Sequence, residues 1–218
     1  MKIGILFDLD GTLLDTLEDL MDSTNHALMV HACPPRTLEE IRRFVGNGAR
    51  RLIEQALPGA ESDPAVEEVL ATYQAYYADH SQVKTRPYKG VLHALEQIGQ
   101  KYPVAIVSNK PDIAVKPLCQ RYFPGIYARG ESTDCARKPA PDMLYKAMEE
   151  IGVETCVYVG DSEVDVITAN NAGVPCLSVL WGFRDRDCIE EAGGKYFCDN
   201  PEEMAAMLQE IIEENYGQ

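Results

Sequence analysis

The most informative part of this sequence reads Phe7-Asp8-Leu9-Asp10-Gly11-Thr12-Leu13-Leu14-Asp15-Thr16. It follows the apolar run Lys2-Ile3-Gly4-Ile5-Leu6, which is typical of a buried strand. Asp8 and Asp10 therefore arrive where that strand should end, and Gly11 permits a sharp turn beside them. Ligands of open α/β sheets bind at the carboxyl ends of strands. Because crowded carboxylates need a cation or a proton between them, the pair predicts a divalent-cation site, and Mg²⁺ suits one completed by phosphate.

The composition indicates a globular protein that does not bind polyanions. The 218 residues are 45% hydrophobic and 25% charged, which allows one large domain or two smaller ones. A net charge of −15 argues against nucleic acid or an anionic membrane as partner. We find no apolar run of about 20 residues and no secretory signal, so the expected location is cytoplasmic. An acidic enzyme that binds phosphate needs a metal ion and a few basic side chains to reverse the charge locally.

A block of helical pattern follows the first strand. Residues 16–31 carry apolar side chains at helical spacing, and Thr37 with Glu40 forms a capping box for a helix that ends near Phe44. Further helices are predicted at 49–57 and, from an Asp63-Pro64 start, to about His80. We therefore expect an all-helical insertion over residues 16–83, placed where it could cover the end of the first strand as a lid.

From residue 84 onward, strands alternate with helices. The predicted strands are 104–107, 125–129, 156–159, 175–181 and 196–198, and helices are expected between them and from Pro201. This alternation predicts an α/β fold with a doubly wound parallel sheet, covered by helices on both faces. The expected domains are a core, residues 1–15 and 84–218, and the helical insertion.

Polar residues follow three of these strands and one loop. They are Asp8 and Asp10, Ser108 and Asn109, Asp161 and Asp165, and, in the loop, Lys138. Each alone has a simpler interpretation as a turn residue, a helix start or a solvated charge. Because parallel strands end at one edge of a sheet, we expect these groups to converge.

In this order, the four segments match the motifs of the haloacid dehalogenase superfamily, and the string Asp-x-Asp-Gly-Thr-Leu-x-Asp resembles its first motif. The resemblance spans the whole core and implies a Rossmann-like fold, and the helical insertion resembles the C1 cap of that superfamily. Its dehalogenases lack a carboxylate at the position of Asp10. The resemblance therefore implies a phosphatase.

The resemblance also assigns roles to the residues. Asp8 would attack phosphorus and form an aspartyl-phosphate, and Asp10 would act as general acid and then as general base. Ser108, Lys138 and the backbone near Asn109 would bind the phosphate. The implied Mg²⁺ ligands are Asp8, the carbonyl of Asp10, Asp161 and, through a water molecule, Asp165.

The substrate is expected to depend on the cap. The turn Val45-Gly46-Asn47-Gly48-Ala49 resembles the corresponding loop of phosphoglycolate phosphatases, and Arg50 and Arg51 follow it. The turn amides could bind a carboxylate, so Gly46, Asn47, Gly48 and both arginines are candidate substrate-binding residues. In the simpler interpretation, the glycines only form a tight turn and the arginines are a solvated face.

Phosphoglycolate phosphatase is the leading prediction, with a small-molecule phosphate ester as the partner. Three alternatives stay open: a phosphomutase of the β-phosphoglucomutase type, a pyrophosphatase or nucleotidase, and a receiver-like module in which the aspartyl-phosphate is a signal. The sequence does not choose between a monomer and a homodimer.

Overall fold

A computed structural model describes residues 1–57, 59 and 64–217. Its strands are β1 (Ile3–Phe7), β2 (Leu14–Asp15), β3 (Arg86–Pro87), β4 (Val104–Pro111), β5 (Tyr127–Glu131), β6 (Thr155–Gly160), β7 (Cys176–Val179) and β8 (Tyr196–Cys198). Its helices are α1 (Leu17–Val30), α2 (Leu38–Phe44), α3 (Gly48–Ala56), α4 (Pro64–His80), α5 (Val91–Gly99), α6 (Asp112–Tyr122), α7 (Asp142–Ile151), α8 (Glu163–Ala172), α9 (Arg186–Glu191) and α10 (Pro201–Tyr216). Among the helices described, none is both long enough and apolar enough to cross a bilayer.

The described chain divides into two compact units. One comprises Met1–Leu14 and Pro87–Gln218, and the other comprises Asp15–Arg86. The second unit contains α1 to α4. Its α2 begins with the expected capping box, since Thr37 N donates to Glu40 Oε2 at 2.8 Å and Glu40 N donates to Thr37 Oγ1 at 3.3 Å. The Asp63 predicted to cap α4 lies outside the described residues.

The first unit is built on a parallel sheet, as predicted. Within the described residues this sheet has six strands in the order β5-β4-β1-β6-β7-β8. The chain fills one side of β1 with β4 and β5 and then crosses to the other side for β6, β7 and β8. The strand order therefore reverses at β1, and in open α/β sheets ligands bind outside the carboxyl ends of the strands at such a point.

Alternating side chains of β1 pack against opposite layers of helices. Ile3, Ile5 and Phe7 join a buried cluster with residues of α5, α6 and α10. Leu6 joins a second cluster with residues of α7 and α8. Both faces of the strand are apolar because both are covered, and this is why its sequence is nearly continuously hydrophobic.

Both ends of the described chain are attached near the amino end of β6. Glu154 N, just before this strand, donates to Lys2 O at 2.8 Å. The hydroxyl of Tyr216 donates to Cys156 O at 2.9 Å and lies 3.0 Å from the hydroxyl of Thr155. The first and last described residues therefore lie near the amino ends of the strands, and Asp8 lies at the opposite, carboxyl ends.

The largest differences from the predicted boundaries are in three strands. Strand β4 runs to Pro111, so Ser108 and Asn109 lie within it; the strand passes an irregularity after Val107 and pairs again with β5. Strand β5 begins at Tyr127, and Gly125 before it adopts a φ of 88°, which is far from the extended values of a regular strand. Strand β7 is shorter than 175–181, and ends at Val179.

Asp112 lies in the first turn of α6. It is the first helical residue, and Pro111 occupies the cap position. The carboxylate of Asp112 instead accepts a hydrogen bond from Gly130 N at 2.9 Å. A negative charge in the first turn of a helix is stabilised by the helix dipole, so Asp112 supports the start of α6 without capping it.

Replacement of Ile5 by alanine tests the central strand. Ile5 is fully buried, so we expect Ile5→Ala to lower the free energy of unfolding by about 2–5 kcal/mol, through lost burial and a residual cavity. The control is Ile113→Ala on α6, where the side chain is 85% exposed and the change should stay within about 0.5 kcal/mol. Urea titration followed by circular dichroism measures both. Equal losses would contradict the buried position of β1.

Candidate active site

The ends of β1, β4 and β6 bring together the predicted carboxylates and Ser108. Asp8 follows β1 directly, and its backbone N–H donates to Val159 O of β6 at 2.8 Å. Asp161 follows β6, and Ser108 lies in β4 on the other side of β1. All three side chains are buried. The topology therefore produces the convergence that the sequence predicted.

Lys138 lies at the centre of this cluster. Its Nζ is 2.9 Å from Asp8 Oδ1 and 2.8 Å from Asp165 Oδ1, and it donates to the hydroxyl of Tyr158 at 2.9 Å. The side chain is buried, so these contacts are shielded from water. The ammonium group therefore partly offsets the negative charge of both carboxylates, and its three partners fix its position.

Asn109 holds the backbone of Lys138. Its Oδ1 accepts a hydrogen bond from Lys138 N at 2.9 Å, and its Nδ2 donates to Lys138 O at 3.0 Å. A primary amide carries one acceptor and one donor group, and here both engage the same residue. The side chain of Asn109 therefore positions the lysine. Its predicted part in phosphate binding concerned only the backbone amide nearby.

Asp165 anchors α8 as well as Lys138. Its Oδ1 also accepts from the hydroxyl of Tyr158 at 3.1 Å. Its Oδ2 accepts from Ser162 N at 3.1 Å and from Ser162 Oγ at 2.6 Å, as part of the capping box at the start of α8. These hydrogen bonds hold the Asp165 carboxylate in place, and the carboxylate in turn positions the ammonium group of Lys138.

Asp161 is enclosed by two loops. Thr12 Oγ1 donates to its Oδ1 at 3.1 Å, and Phe183 N donates to its Oδ2 at 2.7 Å. A Cβ added at Gly11 would collide with the carboxylate of Asp161, and one added at Gly182 would collide with its Cβ. Both glycines are therefore required by close approach, and Gly11 also by its φ of 84°.

Asp10 has its own ammonium partner. Lys110 Nζ lies 3.0 Å from Asp10 Oδ1, and both side chains are largely buried. The backbone N–H of Lys110 donates to Ser108 Oγ at 3.2 Å. Lys110 was not among the predicted site residues, and its only signal in the sequence is its position two residues after Ser108.

The carboxylates carry more negative charge than the lysine beside them offsets. Burial raises the pKa of Asp8 to about 7, against the lowering effect of Lys138 and with a further raising effect of Asp165. Burial, with repulsion from Asp165 and Asp8, holds the pKa of Asp161 well above its usual range. Burial disfavours the charged form of Lys138, but Asp165 and Asp8 outweigh it and raise its pKa.

This excess of charge fits a divalent cation. Carboxylate oxygens of Asp8, Asp161 and Asp165 lie within 4.8 Å of one another, and all three residues are buried. Hard divalent cations prefer such oxygen ligands. A bound cation would lower the raised pKa values by stabilising the ionised carboxylates. The residues present therefore fit a metal ion.

The cap candidates have partners in their own unit. Arg50 pairs with Glu54 at 2.9 Å and also with Glu67, and Arg51 pairs with Glu54 at 3.2 Å. Gly46 and Gly48 adopt φ values of 120° and 80°, and Asn47 between them is the N-cap residue of α3. These facts agree with a tight turn and a solvated, paired face. The assignment of these residues to substrate remains a prediction.

Solved structures and curated relatives resemble this chain over most of its length. A "Phosphoglycolate phosphatase 1" from Pseudomonas aeruginosa is 34% identical over 220 residues, which cover 96% of this chain and 80% of the relative. A phosphoglycolate phosphatase from Xylella fastidiosa is 37% identical over 194 residues, covering 84% and 82%. A crystal structure of a provisionally assigned phosphoglycolate phosphatase from Lactobacillus delbrueckii subsp. bulgaricus superposes with a TM-score of 0.88 at 35% identity, covering 94% of this chain and 98% of that one.

Loss of the Asp165 charge should destabilise the fold. We expect Asp165→Asn to lower the free energy of unfolding by about 3 kcal/mol, the low end for a broken buried ion pair, because Asp8 still partners Lys138. The matched control is Glu190→Gln, which breaks the exposed pair with Arg186 and should cost at most about 0.5 kcal/mol. Urea titration measures the free energy of unfolding of both variants. An Asp165→Asn variant as stable as the wild-type protein would contradict the anchoring role.

The sequence profile of the haloacid dehalogenase-like hydrolases matches residues 5–179. This range contains every predicted site residue of the core, from Asp8 to Asp165. The resemblance noted in the sequence is thereby confirmed, and the chain belongs to the haloacid dehalogenase-like hydrolase family.

Proposed function

We propose that this protein is a Mg²⁺-dependent phosphatase that hydrolyses 2-phosphoglycolate through an aspartyl-phosphate. One observation supports the chemistry most directly. A buried carboxylate, Asp8, lies 2.9 Å from the Lys138 ammonium, and a second carboxylate, Asp10, stands two residues further along the chain. A nucleophile, a cation for the phosphate and a general acid are the parts that phosphoryl transfer needs.

In the first half-reaction, an Asp8 carboxylate oxygen attacks phosphorus. The bond from phosphorus to the ester oxygen breaks, and the electron pair of this bond goes to the leaving oxygen, which takes a proton from the carboxyl group of Asp10. The alcohol departs and Asp8 carries the phosphoryl group. Lys138 offsets the negative charge of the group in transfer, and Ser108 donates a hydrogen bond to it.

In the second half-reaction, water replaces the alcohol. The Asp10 carboxylate takes a proton from water, whose oxygen attacks phosphorus. The bond from phosphorus to Asp8 breaks with its electron pair returning to Asp8, and inorganic phosphate leaves. Asp10 is protonated again, so both carboxyl groups return to their starting states.

Asp8, the backbone carbonyl of Asp10 and Asp161 are the residues that would hold Mg²⁺, with Asp165 beside them. When bound, the ion supplies positive charge against the phosphate and the crowded carboxylates. The fit rests on the buried carboxylate cluster and on the raised pKa values of Asp8 and Asp161.

The substrate assignment draws on the relatives. Those from P. aeruginosa and X. fastidiosa carry the name phosphoglycolate phosphatase, at 34% and 37% identity over most of both chains. The loop Gly46-Asn47-Gly48 and the arginines Arg50 and Arg51 are proposed to bind the carboxylate of the substrate. The turn supports this because it opens α3, whose first-turn amides suit an anion.

Removal of the nucleophile tests the chemistry. Asp8→Asn should reduce phosphate release at least about 10³-fold, because an amide neither attacks phosphorus nor ionises. The assay measures inorganic phosphate from phosphoglycolate, hexose phosphates, nucleoside monophosphates and pyrophosphate, with Mg²⁺ and with EDTA. Activity that survives in the variant or in EDTA would refute the mechanism. Isomer interconversion without phosphate release would indicate a mutase, and a stable single phosphorylation would indicate a signalling module.

A cap variant tests the substrate. If Arg51 binds the carboxylate, Arg51→Ala should raise KM for phosphoglycolate about tenfold while KM for p-nitrophenyl phosphate, which has no carboxylate, changes little. Arg43→Ala is the control, since Arg43 also forms an exposed ion pair within the same unit, with Glu39. Equal effects on both esters would leave Arg51 as part of the solvated face.

A further inference from the structure

We infer that Lys110 is a positioning residue, which holds the carboxyl group of Asp10 at the point where the leaving oxygen is protonated. This inference rests on the proposed function, because it assumes that Asp10 is the general acid and base. It goes further in giving a part in the reaction to a lysine outside the four segments from which the site was predicted.

The ion pair between Lys110 and Asp10 is of the kind that fixes a side chain. The Nζ to Oδ1 distance is 3.0 Å, and the two side chains are only 5% and 12% exposed. Exposed pairs in this protein are different; Arg186 and Glu190 are 44% and 50% exposed and lie in water. Shielding strengthens the attraction and makes a broken pair costly, so the buried pair restrains both partners.

The two lysines of the site serve different carboxylates. Lys138 contacts Asp8 and Asp165, whereas Lys110 contacts Asp10. Asp8 and Asp10 are two residues apart in the sequence, and each of these carboxylates has a lysine ammonium within 3.0 Å, which offsets the repulsion between like charges. The backbone links Lys110 to Ser108, because Lys110 N donates a hydrogen bond to Ser108 Oγ. The end of β4 therefore carries both the hydroxyl proposed to bind phosphate and the ammonium group that contacts Asp10.

Restraint matters more for Asp10 than for a group that acts once. Its carboxyl group gives a proton to the leaving oxygen and later takes one from the water that attacks the same phosphorus. Both transfers need the carboxyl group within hydrogen-bond reach of one side of the phosphorus atom. Lys110 Nζ can donate to Oδ1 of the carboxylate and also of the neutral acid, whose proton is then on Oδ2, so this contact limits rotation of the carboxyl group during both transfers.

The test compares esters that do and do not need the acid. Lys110→Met keeps a stem of similar length and removes the charge. For phosphoglycolate, whose alcohol is a poor leaving group, we expect kcat/KM to fall about 10²-fold, which is the lower end of a general-acid contribution. For p-nitrophenyl phosphate, whose leaving group departs without a proton, the fall should stay below about threefold. Lys116→Met is the matched control, because Lys116 forms an exposed ion pair with Asp112 on α6 and should leave both esters unaffected.

A double-mutant cycle separates positioning from other roles. If Lys110 acts through Asp10, the variant with both Asp10→Asn and Lys110→Met should be as fast as Asp10→Asn alone. Independent, multiplicative losses would overturn the inference, and so would equal losses on both esters. If the circular dichroism spectrum of Lys110→Met shows that this variant is unfolded, Lys110→Gln replaces it, since glutamine is also uncharged but keeps a polar end. The fall in kcat/KM for phosphoglycolate is then compared with that for p-nitrophenyl phosphate as before.

The failure of this inference is distinguishable from failure of the proposed function. If the wild-type protein releases phosphate from neither ester, the proposed function is refuted, and the role of Lys110 is refuted with it. Wild-type protein that hydrolyses both esters, with a Lys110→Met variant that slows them equally, would overturn the role of Lys110 alone.

Discussion

The site depends on one buried ammonium group shared between two carboxylates. Lys138 Nζ lies within 2.9 Å of both Asp8 and Asp165, and a buried charge persists only where it is paired and hydrogen-bonded. The surrounding structure meets this condition. Asn109 fixes the backbone of the lysine, Tyr158 accepts from its ammonium, and Ser162 donates twice to the carboxylate on the other side. Elements far apart in sequence thus meet at a single cation.

The buried carboxylates around this ammonium oppose folding when they are ionised. The raised pKa values of Asp8 and Asp161 show that these carboxylates are less favourable when ionised in the folded protein than in water. The negative charge of these buried carboxylates therefore lowers the stability of the folded protein. The apolar layers on both sides of β1 supply the stability that offsets this cost.

The fold and the core of the site were predictable because their signals are local. Strand and helix patterns gave the parallel sheet, and Asp8, Ser108, Lys138 and Asp161 stand directly after or within short recognisable segments. The supporting residues were not predictable in the same way. Gly182 is required only because Asp161 packs against it from a distant strand end, and Lys110 matters only because β4 lies beside β1. Contacts of this kind arise from tertiary packing, which no local pattern encodes.

The attachment of both chain ends near the start of β6 has a practical consequence. Strand β1 rises about 3.3 Å per residue, so its five residues separate Lys2 from the carboxylate edge by roughly 16 Å of sheet. Lys2 is held there by Glu154, and Tyr216 by Cys156. An affinity tag, a fluorescent fusion or a surface linker joined next to Lys2 or Tyr216 would leave from the amino ends of the strands. A molecule immobilised in this way would be attached at the end of the sheet opposite Asp8.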